Sequence, residues 1–560
     1  MPAGQEVPAR QEAPGRLRLA WAAVCGPVAG IVRLPAGLAI WLGSFLLLAA
    51  VLLIRNAYLF SARIYESQDF AANTIAVLQA RHLRLLTGIY SKKGFYHPGP
   101  ALLYVMAAGE SALHSLLHVV PTPWNGQLTV ILLLNAALLA ASVAVFARQA
   151  GSARVALAFL AVLLGFAAVH PLAVNSGWMP YVYFAPALLL LVSGASVGSG
   201  QTADLPLLAL SAGLCINGQA EFLLFAPVVV AAALGGLVVA HHSDLRGIVR
   251  GRGWHWAGAL LTAVLLLFPI ALNTALHFPG QFGNYLDYTK TVPVHHSLGV
   301  SVRYALRFWW PGTPTASAAQ GGLWVMAVLG VAALVLALRC PLPGMRRFLC
   351  WSLTVAALTT AAFVYYADAS ITDQDITNQA YLGYFYWAVP LLVAAVAAAG
   401  VVVHAGQRRA ALISLAALAA AAGVTATVVP QQRDDPNDPP ARYLGVPQLP
   451  RTVSLLEGIA RGRPIVVTIT GHNWKDAVGV IAYADRTGLR SCVTGLYRQS
   501  WDGALLFRTQ SVCTTREKQA GVSFVFNPRT GWTPRDGPVI AALPFTLITQ
   551  LPPPHPESRT

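Results

Sequence analysis

RIYESQDFAANTIAVLQARHLRLLTGIYSKKGFYHPGPALLYV, residues 63 to 105, is a charged stretch held between apolar runs. In a chain of 560 residues that is 56% hydrophobic and only 11% charged, it gathers Glu66, Asp69, Lys92, Lys93 and His97 beside a membrane surface, where isolated ions are costly. Something polar is expected to be handled there. The mean hydropathy of +0.57 cannot describe a soluble domain whose surface must be largely polar. The chain therefore reads as a polytopic α-helical membrane protein.

Apolar runs near the bilayer-spanning length of about 20 residues recur from Leu34 to Val429. About eleven crossings are expected, at 34–54, 127–147, 154–173, 180–198, 205–220, 222–240, 256–275, 320–338, 348–367, 381–403 and 410–429. The basic connectors at 241–253, 339–347 and 404–409 should face the cytoplasm, which places the amino segment 1–33 there as well. No cleavable leader is read in that segment, because the apolar run after it is long enough to span. The segment 99–120 is apolar but carries Glu110, His114 and His118 at helical spacing. Counting it as a span would reverse the parity of every basic connector downstream, so it reads as a re-entrant or interfacial helix with a polar stripe. The loops 55–126, 276–319 and 368–380 then lie outside.

A formal charge of +16 would suggest nucleic acid in a soluble protein, but here the arginines sit in short connectors where topology needs them. The lipid bilayer, not nucleic acid, is the expected partner. After the transmembrane module, 34–429, comes a Pro/Asp-rich linker at 430–449, and residues 450–560 alternate short apolar strands with turns. PIVVTIT, LRSCV and VSFVFN read as strands and NWKDAVGVIAYADRTG as an amphipathic helix, an exported α/β domain. Cys492 and Cys513 fall in it at a plausible disulfide spacing, with two free thiols as the other reading. Its Gly471, His472, Asn473 and Trp474 form a site-like tetrad that a capped strand-to-helix turn explains equally well. Abundant Ala, Gly, Arg and Pro fit a high-GC genome and hence a bacterial inner membrane, with the carboxy-terminal domain on the periplasmic side.

A first span, a long external loop with acids, a tyrosine-rich turn and the aromatic-His-Pro motif GFYHPGPALLY resemble the GT-C superfamily of lipid-linked glycosyltransferases. The motif is similar to the His-Pro-Pro segment of the protein mannosyltransferase and aminoarabinose transferase group, with Gly99 where the second proline would stand. The resemblance implies an inverting transferase that moves a sugar from a polyprenyl-phosphate donor to a glycan, lipid or protein acceptor at the outer face.

An acceptor hydroxyl is a poor nucleophile, so a carboxylate within hydrogen-bond reach must take its proton. Asp69 corresponds most nearly to the acid that such enzymes carry in this loop, and Glu66 is the alternative base. The chain has neither an adjacent Asp-Glu pair nor a DxD. Asp69 also reads as a helix N-cap.

Lys92 and Lys93, with Arg303 and Arg307 as a second pair, are candidates for the donor phosphate, or else headgroup anchors. Tyr96 and His97 in the loop, and Asn217, Gln219 and Glu221 at a break between two apolar runs, are candidate substrate contacts. Asp368, Asp373 and Asp375 precede an aromatic run at the mouth of the next span. His295 and His296 lack further ligands at ordinary spacing, so no metal or other cofactor is expected, although a divalent cation bridging carboxylates and phosphate is compatible with the loop. The competing functions are a transporter or flippase of lipid-linked sugars and a polymerase or ligase of lipid-linked glycans; no internal repeat favours the transporter.

Overall fold

The computed structural model describes residues 35–91, 93–291, 295–372, 376–377, 380–405, 446–470, 474–494, 511–529 and 538–550, with 409, 412, 417, 505, 507 and 508 as single positions. Helix α1, Ala36–Arg55, leads into the charged loop. There lie α2 (Gln68–Arg81), a short hairpin of β1 (Tyr90–Ser91) and β2 (Phe95–Tyr96), and α3 (Ala101–Gly109), which continues as a π-helix to Leu116. The apolar helices α4 (Pro123–Ala150), α5 (Ala153–Val169), α6 (Met179–Gly198), α7 (Leu205–Gly218) and α8 (Phe222–Ala240) follow. Then come α9 (Gly253–Leu276), the shorter α10 (Gly280–Thr291) and α11 (Leu298–Leu306), and α12 (Ala318–Leu338), α13 (Pro343–Ser370) and α14 (Ala388–His404).

Among the described residues, eight helices are long and apolar enough to cross a membrane, and two shorter apolar helices, Ala153–Val169 and Thr202–Gly218, lie between them. These ten match ten of the expected spans. The eleventh, 410–429, lies outside the described residues apart from two isolated positions. Helix α6 is buried over nearly its whole length, whereas α9 buries little and presents Leu260, Leu261, Leu265 and Phe268 outward, as a lipid-facing helix does.

The segment 101–116 is helical throughout, its last seven residues in π geometry. Its polar stripe is not formed. A π-turn begins at Glu110 and changes the angular period, so Glu110 is fully buried while His118 lies beyond the helix, exposed. Gly109 and Gly126 let α3 and α4 cross in contact: a Cβ on Gly109 would sit 2.7 Å from the Gly126 carbonyl oxygen.

The carboxy-terminal domain has helices α15 (Leu449–Ala460), α16 (Trp474–Arg486) and α17 (Thr515–Ala520) on a sheet of β3 (Ile465–Ile469), β4 (Ser491–Thr494), β5 (Val522–Pro528), β6 (Val539–Ala542) and β7 (Thr546–Gln550). The strand order is β4-β3-β5-β7-β6, with β3 parallel to β4 and β5, and β7 antiparallel to β5 and β6. The expected strands and amphipathic helix are all present, and Cys492 and Cys513 form a disulfide.

The domain does not close its own core. Ala71, Ala72 and Ile75 of α2 share one apolar cluster with Val478, Ile481 and Ala482 of α16, while Phe70, Ala76, Val77 and Ala80 face the membrane bundle. Helix α2 is therefore a shared layer, which explains why QDFAANTIAVLQAR shows no single apolar face. The linker lies largely outside the described residues, but Val446 N–H donates to the Tyr65 carbonyl at 2.9 Å.

Candidate functional site

Asp69 lies in the first turn of α2, and the N-cap position belongs to Ser67. This removes the capping reading: the Asp69 carboxylate reaches across instead of back. One oxygen accepts from the Tyr90 hydroxyl and the other from the Trp178 indole N–H at 2.9 Å. The group is half-buried, so it is oriented by two fixed donors and still open on one side. Gln68, one residue earlier, holds φ +54° in the left-handed region that favours glycine. Such backbone persists only where the surroundings over-determine it.

The surroundings here are ionic. Glu66 lies before the helix, not on its face. Its Oε1 accepts from Thr74 Oγ1 at 2.7 Å and from Arg486 Nη2 at 2.9 Å. Arg486 Nη1 donates to Glu110 Oε1 at 2.6 Å, and Arg81 and Gln127 donate to the same carboxylate at 2.8 and 2.7 Å. Burial pushes the Glu110 carboxyl up, but Arg486, Gln127 and Arg81 outweigh it and leave the group below its ordinary value. Glu66 is thus a link between loop and carboxy-terminal domain, its carboxylate already engaged.

The hairpin joins Asp69 to a second polar group. Tyr90, which donates to Asp69, pairs with Tyr96 across the hairpin, and Lys93 stands in the turn between the strands. Lys93 Nζ lies 5.7 Å from the Tyr288 ring centre, over its face. Lys92 lies outside the described residues. His97 is buried, accepts at Nδ1 from the Ala220 N–H at 3.1 Å, and is pushed down to about 4 by burial, so it is neutral at pH 7. Beside that junction, Glu221 Oε1 accepts from the Tyr366 hydroxyl at 3.2 Å while Oε2 is buried without a partner. Burial raises the Glu221 carboxyl, and the Lys93 charge partly opposes this.

Asn217 and Gly99 explain the departure from His-Pro-Pro. The Gly99 N–H donates to the Asn217 carbonyl at 2.8 Å, and a Cβ on Gly99 would lie 2.1 Å from Asn217 Oδ1. Proline has no N–H to give and no room to fit. The Asn217 amide donates to the Gly213 and Leu266 carbonyls at 2.8 and 2.9 Å, and its Oδ1 accepts from Ala101 N–H at 3.3 Å, so this side chain builds the junction. Gln219 is half-buried in the connector beside Glu221.

Tyr96 is likewise a junction: its hydroxyl donates to the Leu505 carbonyl at 3.1 Å, its N–H donates to Gln281 Oε1 at 2.8 Å, and its carbonyl accepts from Tyr285 at 2.7 Å. Arg303 is exposed on α11, which packs on α13. Arg307 donates to the Ile376 carbonyl at 2.8 Å, lies over Tyr304, and keeps a buried Nε without a partner. The structure thus joins Asp69, Lys93, His97 and Glu221 through one hairpin, and the two arginines lie at α11, which packs on the helix whose Tyr366 reaches Glu221.

His296 binds the Ile371 carbonyl at 2.7 Å, and His295 lies 3.7 Å from Asp368. Asp373, Asp375, Gly471, His472 and Asn473 are outside the described residues, among which no group of three or more His, Cys, Asp or Glu is assembled to hold a metal.

Sequence reasoning missed Trp178, Tyr90 and Arg486, none of which stands in a recognisable motif. Trp178 opens an aromatic column: it lies 5.4 Å from Tyr381 and 5.7 Å from Tyr181 between ring centres, and Tyr181 stacks on Tyr384, which stacks on Trp387, at 4.6 and 4.5 Å. Part of the aromatic run at 381–387 thus packs inward, behind the carboxylate.

No protein-family model matches the chain, and no curated protein matches it. Solved structures similar to it include two of one protein. ArnT from Cupriavidus metallidurans bound to undecaprenyl phosphate shares 14% identity over 91% of this chain and 98% of that chain, with a TM-score of 0.45. The same protein in the apo state shares 14% identity over 92% of this chain and 98% of that chain, with a TM-score of 0.48.

Proposed function

We propose that this chain is a membrane glycosyltransferase of the GT-C type that moves a sugar from a polyprenyl-phosphate donor to an acceptor hydroxyl at the outer face of a bacterial inner membrane. The observation that carries the reading is Asp69: a half-buried carboxylate held by Tyr90 and Trp178, on a loop whose hairpin also presents Lys93.

In the proposed reaction the acceptor oxygen attacks the anomeric carbon while its proton passes to Asp69. The bond from that carbon to the phosphate oxygen breaks, and the polyprenyl phosphate leaves on the opposite side, so the anomeric configuration inverts. Tyr90 and Trp178 hold the base in place, and Lys93 stabilises the charge that grows on the leaving phosphate. Arg303 and Arg307 would meet the donor from the α11 side. Lys92 would act beside Lys93, while Glu221 and Gln219 would contact the sugar. Glu66, Tyr96 and Asn217 serve by building the walls.

The reading requires no resident cofactor. A divalent cation between Asp69 and phosphate would reveal itself as loss of transfer on chelation. The basic connectors support a cytoplasmic amino end and a periplasmic carboxy-terminal domain.

Product analysis tests the reading. The full chain in vesicles, given a panel of undecaprenyl-phosphate-linked labelled sugars and a membrane-lipid extract as acceptor, should release free undecaprenyl phosphate as label appears on acceptor. Movement of intact donor between leaflets, with its glycosidic bond unbroken, would overturn it in favour of transport.

A further inference from the structure

The carboxy-terminal domain reaches the loop at two arginines, buried Arg508 and half-buried Arg486, both far from Asp69 in sequence. Arg486, described above, grips Glu66 just before the left-handed residue Gln68 and so holds the turn that delivers Asp69. Arg508 grips the other partner of the site. It is buried, and its Nη2 donates to the Gly88 carbonyl at 2.6 Å while Nη1 donates to Thr87 Oγ1 at 3.2 Å and Gln79 Oε1 at 3.4 Å. Its guanidinium lies 4.6 Å from the Tyr96 ring centre. Gly88 N–H in turn donates to the His97 carbonyl, and His97 N–H to the Ile89 carbonyl, both at 2.8 Å, so Arg508 holds the base of the hairpin that carries Tyr90 and Lys93.

Arg508 is itself tied to the sheet. Its carbonyl accepts from the Ser511 N–H at 3.1 Å, and nearby the Cys492–Cys513 disulfide and the Cys513 N–H, which donates to the Val493 carbonyl at 2.9 Å, join β4. With the apolar cluster shared between α2 and α16, the domain fixes both the helix that carries the base and the hairpin that carries its hydroxyl donor.

We propose that Arg508 and Arg486 are positioning residues of the transfer site, through which the carboxy-terminal domain sets the placement of Asp69, Tyr90 and Lys93 without touching substrate. The inference rests on the transferase reading for its effect on turnover, and its structural half stands apart from that reading. A planar fork serves three acceptors and a ring at once, which an ammonium cannot do, so lysine should substitute only partly.

The experiment compares the full-length wild type with Arg508→Met, Arg508→Lys, Arg486→Lys and the milder Thr87→Val, which removes one acceptor from Arg508. Hydrogen exchange in peptides covering 79–97 and turnover with the undecaprenyl-phosphate-linked sugar panel are measured on folded, monodisperse protein. Exchange at 85–97 should rise in both Arg508 variants while that of α4 is unchanged. Turnover should fall about 100-fold in Arg508→Met, the scale of a misplacement of about 1 Å, with Arg508→Lys between it and the wild type. Thr87→Val should lose about 3- to 10-fold, as for one hydrogen bond. Arg486→Lys should raise exchange in α2 and lower turnover in the same sense.

If Arg508→Met does not fold, Thr87→Val and Arg508→Lys decide the matter by the same two readouts. Unchanged exchange at 85–97, or turnover that falls only in proportion to the folded fraction, would overturn the proposal. A wild type that transfers no sugar would sink the transferase reading alone, since exchange still decides whether the arginines hold the hairpin.

Discussion

Replacing Arg486 with methionine tests the ion network that joins the loop to the carboxy-terminal domain. Methionine keeps the unbranched stem and its packing but removes the charge that sits between Glu66 and Glu110 at 2.9 and 2.6 Å. Glu110 would retain Arg81 and Gln127, whereas Glu66 would keep, among the described residues, the Thr74 hydroxyl alone. Breaking a buried pair by removing one partner costs about 3–5 kcal/mol, chiefly from the charge left behind. At roughly 2–4 °C per kcal/mol for a domain of moderate size, the apparent Tm should fall by at least about 6 °C.

The companion variant Glu66→Gln removes the stranded charge while keeping an acceptor for Thr74. The double variant should therefore be more stable than Arg486→Met alone, with a coupling of about 1–3 kcal/mol. Thermal unfolding of the four full-length proteins at pH 7 completes the cycle. Additive effects, with coupling below about 0.5 kcal/mol, would refute the network as a stabilising unit.

The sign of the pH dependence follows from Glu110. A carboxyl depressed in the folded state stabilises above its unfolded value and loses that contribution as pH falls through the folded value. The wild type and Arg486→Met should differ most near pH 7 and converge below about pH 4.

Three further outcomes are expected. His97, lowered from 6.5 to about 4 by burial, takes up its proton more readily in the unfolded chain, so the stability it contributes is full above pH 6.5 and lost as pH falls towards 4; in His97→Gln that part of the stability curve against pH should flatten. Gly99→Ala should destabilise by about 1–3 kcal/mol in thermal unfolding, because its Cβ meets Asn217 Oδ1 at 2.1 Å and a folded core resists such overpacking. Removing the Cys492–Cys513 bridge, with its sequence separation of 21, should cost about 3 kcal/mol, read as a lower unfolding midpoint of the double serine variant than of the oxidised wild type.

Span positions were legible because a bilayer demands about 20 apolar residues whatever packs beside them. The strands and amphipathic helix of the carboxy-terminal domain were legible through periodicity, and the loop that carries Asp69 and the GFYH turn through its polar composition. The shared helix α2 was not, because a segment buried on two sides has no one-sided pattern to read. Arg486 and Arg508 were hidden for a different reason: each looks like an ordinary surface cation until the fold brings it to partners about 376 to 429 residues away. The polar stripe of Glu110, His114 and His118 failed because periodicity arguments assume 3.6 residues per turn, and a π-turn begins at its first member.

The central claim is that Asp69 takes the acceptor proton in a sugar transfer, and Asp69→Asn tests it most directly. Asparagine keeps the size of the side chain and an oxygen to accept one of the two fixed donors, but removes the proton acceptor. In the vesicle assay with labelled donor and acceptor, transfer should fall by about 100- to 10,000-fold while the protein folds normally and still binds undecaprenyl phosphate. Near-normal release of undecaprenyl phosphate by a folded Asp69→Asn protein would contradict the account.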